Sequence, residues 1–222
     1  MKPANRISKI LCGVLLLTAP LQAEAGSEGS SSKSKRASRP VFSGWVAPET
    51  QLRSRPPARP SGEIIISSVN EPKHVVSVNI YNADGSFNRD ALDKLNYVWR
   101  CRRTQVEKRI DPHLFEIVSH IYDHFKKPLT LVSGFRNQQK TTSFHYAGSA
   151  SDLSVPGVPD SRLRSFVESL DTGGMGIGIY PHAGFIHVDI RPEPSYRWVD
   201  GSPPGTSDMG RPKTGRNRSP NS

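Results

Sequence analysis

The chain has 222 residues, with 30 Lys and Arg against 20 Asp and Glu, a net charge of +10 and 35% hydrophobic residues. The charge sits on the ends: residues 26–60 hold seven basic and two acidic side chains and residues 201–222 hold four and one, whereas 61–200 holds 16 of each. A nucleic-acid-binding body concentrates basic charge on itself, so that class is excluded, and the basic arms are expected to touch an anionic wall polymer or membrane surface.

In chain order, residues 1–25 read as a signal peptide. Lys2, Arg6 and Lys9 precede an apolar run from Ile10 to Ala19, and Ala23-Glu24-Ala25 fits a small-x-small cleavage site before Gly26. The run is too short to span a bilayer. Cleavage would leave Cys101 as the one cysteine, so no internal disulfide can form. A periplasmic monomer is expected. Residues 26–61 are rich in Ser, Gly, Pro and Arg and read as a disordered basic linker, with Trp45 and Val46 as exceptions expected to dock.

The folded domain is expected over 62–200. Glu63 to Val69 and Val75 to Tyr81 are rich in β-branched residues and read as strands. Asn88 caps a helix reaching about Arg100, and Asp111-Pro112 opens another reaching about Lys126. Leu129 to Ser133 and Ala150 to Val155 read as strands, and Ser161 to Leu170 as a helix. Met175 to Tyr180 and Phe185 to Ile190 are strands joined by the hairpin-length segment Pro181-His182-Ala183-Gly184. The order gives a single α+β domain, an antiparallel sheet flanked by helices. Residues 201–222 read as a disordered basic tail broken by prolines.

The chemistry lies in two segments, His145-Tyr-Ala-Gly-Ser-Ala-Ser-Asp152 and Phe185-Ile186-His187-Val188-Asp189. Strand alternation puts Ile186, Val188 and Ile190 on one face and His187 and Asp189 on the other. It likewise separates Leu153 from Asp152. If the two strands are neighbours, Asp152 and His187 face one cleft, and Gly148 frees the backbone for His145 to turn toward them. Two imidazoles and a carboxylate with a fourth position open are the donor set of a catalytic zinc site. His182, at the mouth of the last strand, is the expected proton carrier. Arg136, after a strand end, is the expected clamp for a substrate carboxylate or oxyanion. Asp189 is expected to orient a ligand imidazole.

His-x-x-Gly-x-Ala-x-Asp followed by His-Val-Asp resembles the LAS zinc metallopeptidases (lysostaphin, D-Ala-D-Ala metallopeptidases, hedgehog), and within them the YcbK-like murein endopeptidases. The resemblance spans about Val75 to Asp200. It takes in Asn79-Ile80-Tyr81, Asp111-Pro112, Ser133-Gly134-Phe135-Arg136, Gly173-Gly174-Met175-Gly176, Tyr180-Pro181 and Arg197-Trp198. It implies a hedgehog/DD-peptidase-like fold, zinc on His145, Asp152 and His187, a substrate-positioning role for Arg136, and cleavage of peptide bonds in peptidoglycan. Several members carry an acid three residues before the last histidine, where this chain has Gly184; the wall carboxypeptidases instead share a histidine five residues before it, as His182 is here. The rival expectations are a non-catalytic zinc-containing wall-binding module and a D,D-carboxypeptidase with the same site. His120 and His124 read as a solvated helix face, and Gly173 to Gly178 as a tight turn feeding a strand rather than a phosphate loop.

Overall fold

Asn88 accepts a hydrogen bond from the Ala91 amide at 3.1 Å and starts α1 (Arg89–Trp99), since a side-chain oxygen there satisfies an amide with no partner inside the helix. Asp111 does the same for α2 (Pro112–Phe125), accepting from the His113 amide at 3.0 Å. Pro112 stands at the first helical turn, where its missing N–H costs nothing. The computed structural model describes residues 41–137 and 141–203, and α3 (Phe144–Ala147) and α4 (Asp160–Glu168) complete the helices among them. None of these helices is long and apolar enough to cross a membrane.

The strands are β1 (Phe42–Val46), β2 (Glu63–Ser68), β3 (Glu71–Asn79), β4 (Leu129–Ser133), β5 (Ala150–Ser154), β6 (Met175–Tyr180), β7 (Phe185–Ile190) and β8 (Tyr196–Asp200). They form one 8-stranded sheet in the order β1-β8-β6-β7-β5-β4-β2-β3. The β7–β5 pair is its central seam.

Three expectations are corrected here. The sheet is mixed: β2 pairs parallel with β4, and β6 with β8. The first pairing follows from the crossover through α1 and α2, which a parallel neighbour requires. The expected linker carries β1, which pairs antiparallel with β8. An edge strand gains from backbone bonds while leaving its side chains exposed, so its composition reads as linker. Trp45 sits beneath the Arg164 guanidinium at 5.6 Å. The third correction is β8 itself, a strand the sequence reading passed over. The expected signal peptide, the linker up to residue 40 and the tail from residue 204 lie outside the described residues.

Helices α1 and α2 pack on β2, α1 also on β3 and β4, and α4 on β6 and β7. Ile64, Ile66, Leu95, Leu114, Phe115, Val118, Leu153, Ile177, Ile186 and Val188 are fully buried. Each such side chain contributes about 1.5–3 kcal/mol by leaving water. Alternation then assigns the other face of β5, β6 and β7 to Asp152, His187, Asp189, Gly176, Gly178 and Tyr180.

Candidate metal centre

The register of β5 against β7 sets Asp152 directly opposite His187. One His187 nitrogen, Nδ1, lies 2.8 Å from Asp152 Oδ1, and the other, Nε2, lies 2.9 Å from Asp189 Oδ2. His145 comes from α3, which closes at Gly148 in the left-handed region (φ +82°), where a Cβ would press on the Arg109 carbonyl at 3.0 Å. His145 Nδ1 is 2.7 Å from the Gly134 carbonyl oxygen. A carbonyl only accepts, so the hydrogen is on Nδ1 and the lone pair is on Nε2. That Nε2 lies 3.2 Å from His187 Nδ1 and 3.4 Å from Asp152 Oδ1.

Gly134 is itself held by α1. A Cβ at 134 would lie 2.6 Å from the Trp99 carbonyl oxygen, and the Phe135 amide donates to that same oxygen at 2.8 Å. The Trp99 indole donates to Ser151 Oγ at 2.7 Å. A bulge in β4 between Leu131 and Ser133 turns Ser133 to face Asp152; bulges commonly re-aim a side chain in this way.

Ligand atoms of His145, Asp152 and His187 all lie within 4.8 Å of one another, and the three side chains are buried. Burial depresses His145, with Asp152 opposing it. Burial also works against a charged His187, but its bonds to Asp152 and Asp189 outweigh this and raise it above the usual histidine value. Burial pushes Asp152 up, yet His145 and His187 together hold its carboxyl well below the carboxylate range. Lone pairs converge here from two imidazoles and a carboxylate, so the donor set fits a divalent cation replacing the proton on His187 Nδ1.

The other expected residues are placed as follows. Asp189, fully buried, contacts His187 as stated and is gripped by Arg191 through Nε at 2.7 Å and a terminal nitrogen at 2.5 Å. Arg136 donates through Nε to Ser133 Oγ at 2.7 Å and through a terminal nitrogen to Asp152 Oδ2. Its guanidinium therefore lies on a proposed ligand, with 35% of the side chain exposed. His182 lies exposed in the turn between β6 and β7 and is not among the three clustered residues.

Trp198 had no expected role, and Gly176 and Gly178 were expected in a tight turn but lie inside β6. Trp198 lies against His187 with ring centroids 5.0 Å apart, and its indole donates to the Tyr180 hydroxyl at 3.2 Å. A Cβ at 178 would overlap the Trp198 ring at 2.1 Å, and one at 176 would overlap the Arg191 guanidinium at 2.1 Å. Glycines two apart in a strand share a face, and that spacing was the available signal. Tyr180 is raised above the ordinary tyrosine value by burial and then by the Asp152 charge, so its hydroxyl stays protonated.

Two imidazoles and a carboxylate brought together by α3 and the central strands β5 and β7 define a candidate centre of the metal-dependent hydrolase class. The family described as "Peptidoglycan L,D-endopeptidase MepK" matches residues 66–196, and the chain belongs to it. The "Probable peptidoglycan L,D-endopeptidase MepK" of Haemophilus influenzae is 30% identical over 128 residues, covering 51% of this chain and 68% of that protein. The peptidoglycan L,D-endopeptidase MepK of Escherichia coli K12 is 30% identical over 118 residues, covering 47% of this chain and 64% of its own. No solved structure matches the chain.

Proposed function

We propose that this chain is an exported zinc metallopeptidase, hedgehog/DD-peptidase-like in fold, that hydrolyses peptide cross-links of peptidoglycan in the periplasm. The names of its relatives point to bonds of the L,D class. The observation that carries the reading is the approach of the His145, Asp152 and His187 ligand atoms to within 4.8 Å.

His145 Nε2, His187 Nδ1 and an Asp152 oxygen would hold the ion. Bound zinc supplies a polarised carbonyl and a water of lowered pKa. The chain's own residues do the remainder. Gly134 and Asp189 fix which nitrogen of each imidazole faces the centre. Arg136 donates one hydrogen bond to the Asp152 carboxylate, and its exposed portion is available to a substrate carboxylate. The protonated Tyr180 hydroxyl is a donor for the scissile carbonyl oxygen. His182, at the mouth of β7, carries protons between the attacking water and the leaving amine.

The test is His187→Ala. It should lose bound metal and hydrolysis of purified murein while keeping its circular dichroism spectrum; unchanged hydrolysis ends the proposal. Mass spectrometry of defined muropeptides separates endopeptidase from D,D-carboxypeptidase products, and an intact digest with metal bound would indicate a wall-binding module.

A further inference from the structure

Arg191 directly follows β7 and lies beside Asp189, which shares a strand face with His187. Its guanidinium meets both oxygens of Asp189, at 2.7 Å and 2.5 Å, and Asp189 Oδ2 also takes the hydrogen of His187 Nε2. Such a fork fixes the plane of a carboxylate, where a single contact would leave it free to turn. The same guanidinium lies 4.7 Å from the Phe144 ring, with Trp198 at 5.7 Å and Tyr196 at 5.8 Å. Phe144 immediately precedes His145 on α3. Two backbone features reserve this position. Gly176 leaves space that any side chain would take from the guanidinium, and the Arg191 amide donates to the Gly174 carbonyl at 2.9 Å. The side chain is 17% exposed and lies outside the ligand set.

We infer that Arg191 is a positioning residue for both histidines of the centre: it sets the His187 ring through Asp189, and it seats the helix carrying His145 through Phe144. The inference rests on the metal reading above. It assigns Arg191 no contact with substrate. A methionine of similar length would keep much of the packing but leave the buried Asp189 carboxylate with His187 as its sole strong partner. A lysine would restore charge without the fork.

The experiment measures metal affinity by competition with a chromogenic zinc chelator, alongside melting of the metal-free protein. Arg191→Met should weaken zinc binding by about 10- to 100-fold, as loss of an outer partner of a ligand does. Arg191→Lys should recover a fraction of that loss. In an Asp189→Asn background, Arg191→Met should add little to either the affinity loss or the melting shift, because a neutral amide needs no counter-charge. The cobalt-substituted protein should show altered visible absorption in Arg191→Met, a signature that packing loss far from the ion would not give. Wild-type affinity in Arg191→Met, or an equal loss in the Asp189→Asn background, overturns the inference. Should Arg191→Met not fold, wild-type affinity in Arg191→Lys does the same. Failure of the unaltered protein to take up zinc would instead sink the metal reading, so the two failures are distinct.

Discussion

Trp198 reaches His187 because residue 178 has no side chain. The two rings lie 5.0 Å apart, and the space between strand and indole is what a Cβ at 178 would occupy. Gly178→Ala should therefore displace the indole, break its bond to the Tyr180 hydroxyl and cost about 1–3 kcal/mol of stability, as overpacking does. Urea unfolding checks the cost. A variant as stable as the parent, with unchanged tryptophan fluorescence, would show that the strand can yield.

Removing metal should abolish murein hydrolysis, and zinc should restore it. The three proposed ligands come from β5, β7 and α3, so the chelated protein should also melt at a lower temperature, since anything that binds only the folded state stabilises it. Calorimetry with and without chelator measures the shift. Equal melting temperatures would mean that no ion joins these elements.

His182→Ala should leave zinc content intact and lower kcat by about 10²- to 10⁴-fold, the usual worth of a positioned proton carrier. Its exposed place in the turn predicts no loss of stability. Activity within a factor of two of the parent would remove His182 from the mechanism and turn attention to Tyr180.

Asp123 ties the entry to β2. It accepts from the Ser61 amide at 2.8 Å and from Ser61 Oγ at 2.7 Å, and Lys126 lies 3.1 Å away. Burial raises this carboxyl, but the Ser61 and Lys126 contacts outweigh it and the net shift is downward. A depressed folded value means that the stabilisation is present above the unfolded value of about 3.9 and is lost as pH falls through the folded one. Asp123→Asn should cost about 1 kcal/mol at neutral pH. The gap to the parent should close in acid. A gap constant down to about pH 2 would contradict the assignment.

The juxtaposition of Asp152 and His187 was legible because two kinds of local pattern agreed. Alternation in 185–190 put three apolar residues on one side and His187 with Asp189 on the other, and the cap at Asp111 fixed the start of α2, which with α4 packs against β7. The register of Asp152 against His187 could only be supposed, since pairing partners are set by contacts distant in sequence. For the same reason β1 went unread: its residues are mostly exposed, and its order comes from β8, some 150 residues later. Arg191 was hidden differently. Nothing in Asp-Ile-Arg-Pro distinguishes a guanidinium that grips a buried carboxylate from one in solvent, until Gly176 is seen to make room for it.

The β7–β5 seam divides the eight strands into two groups of four, and two of the three proposed ligands stand on opposite sides of it. An ion there would rivet the halves together, so occupancy would govern how often the middle of the sheet opens to a protease. The metal-free form would then be the more readily digested one.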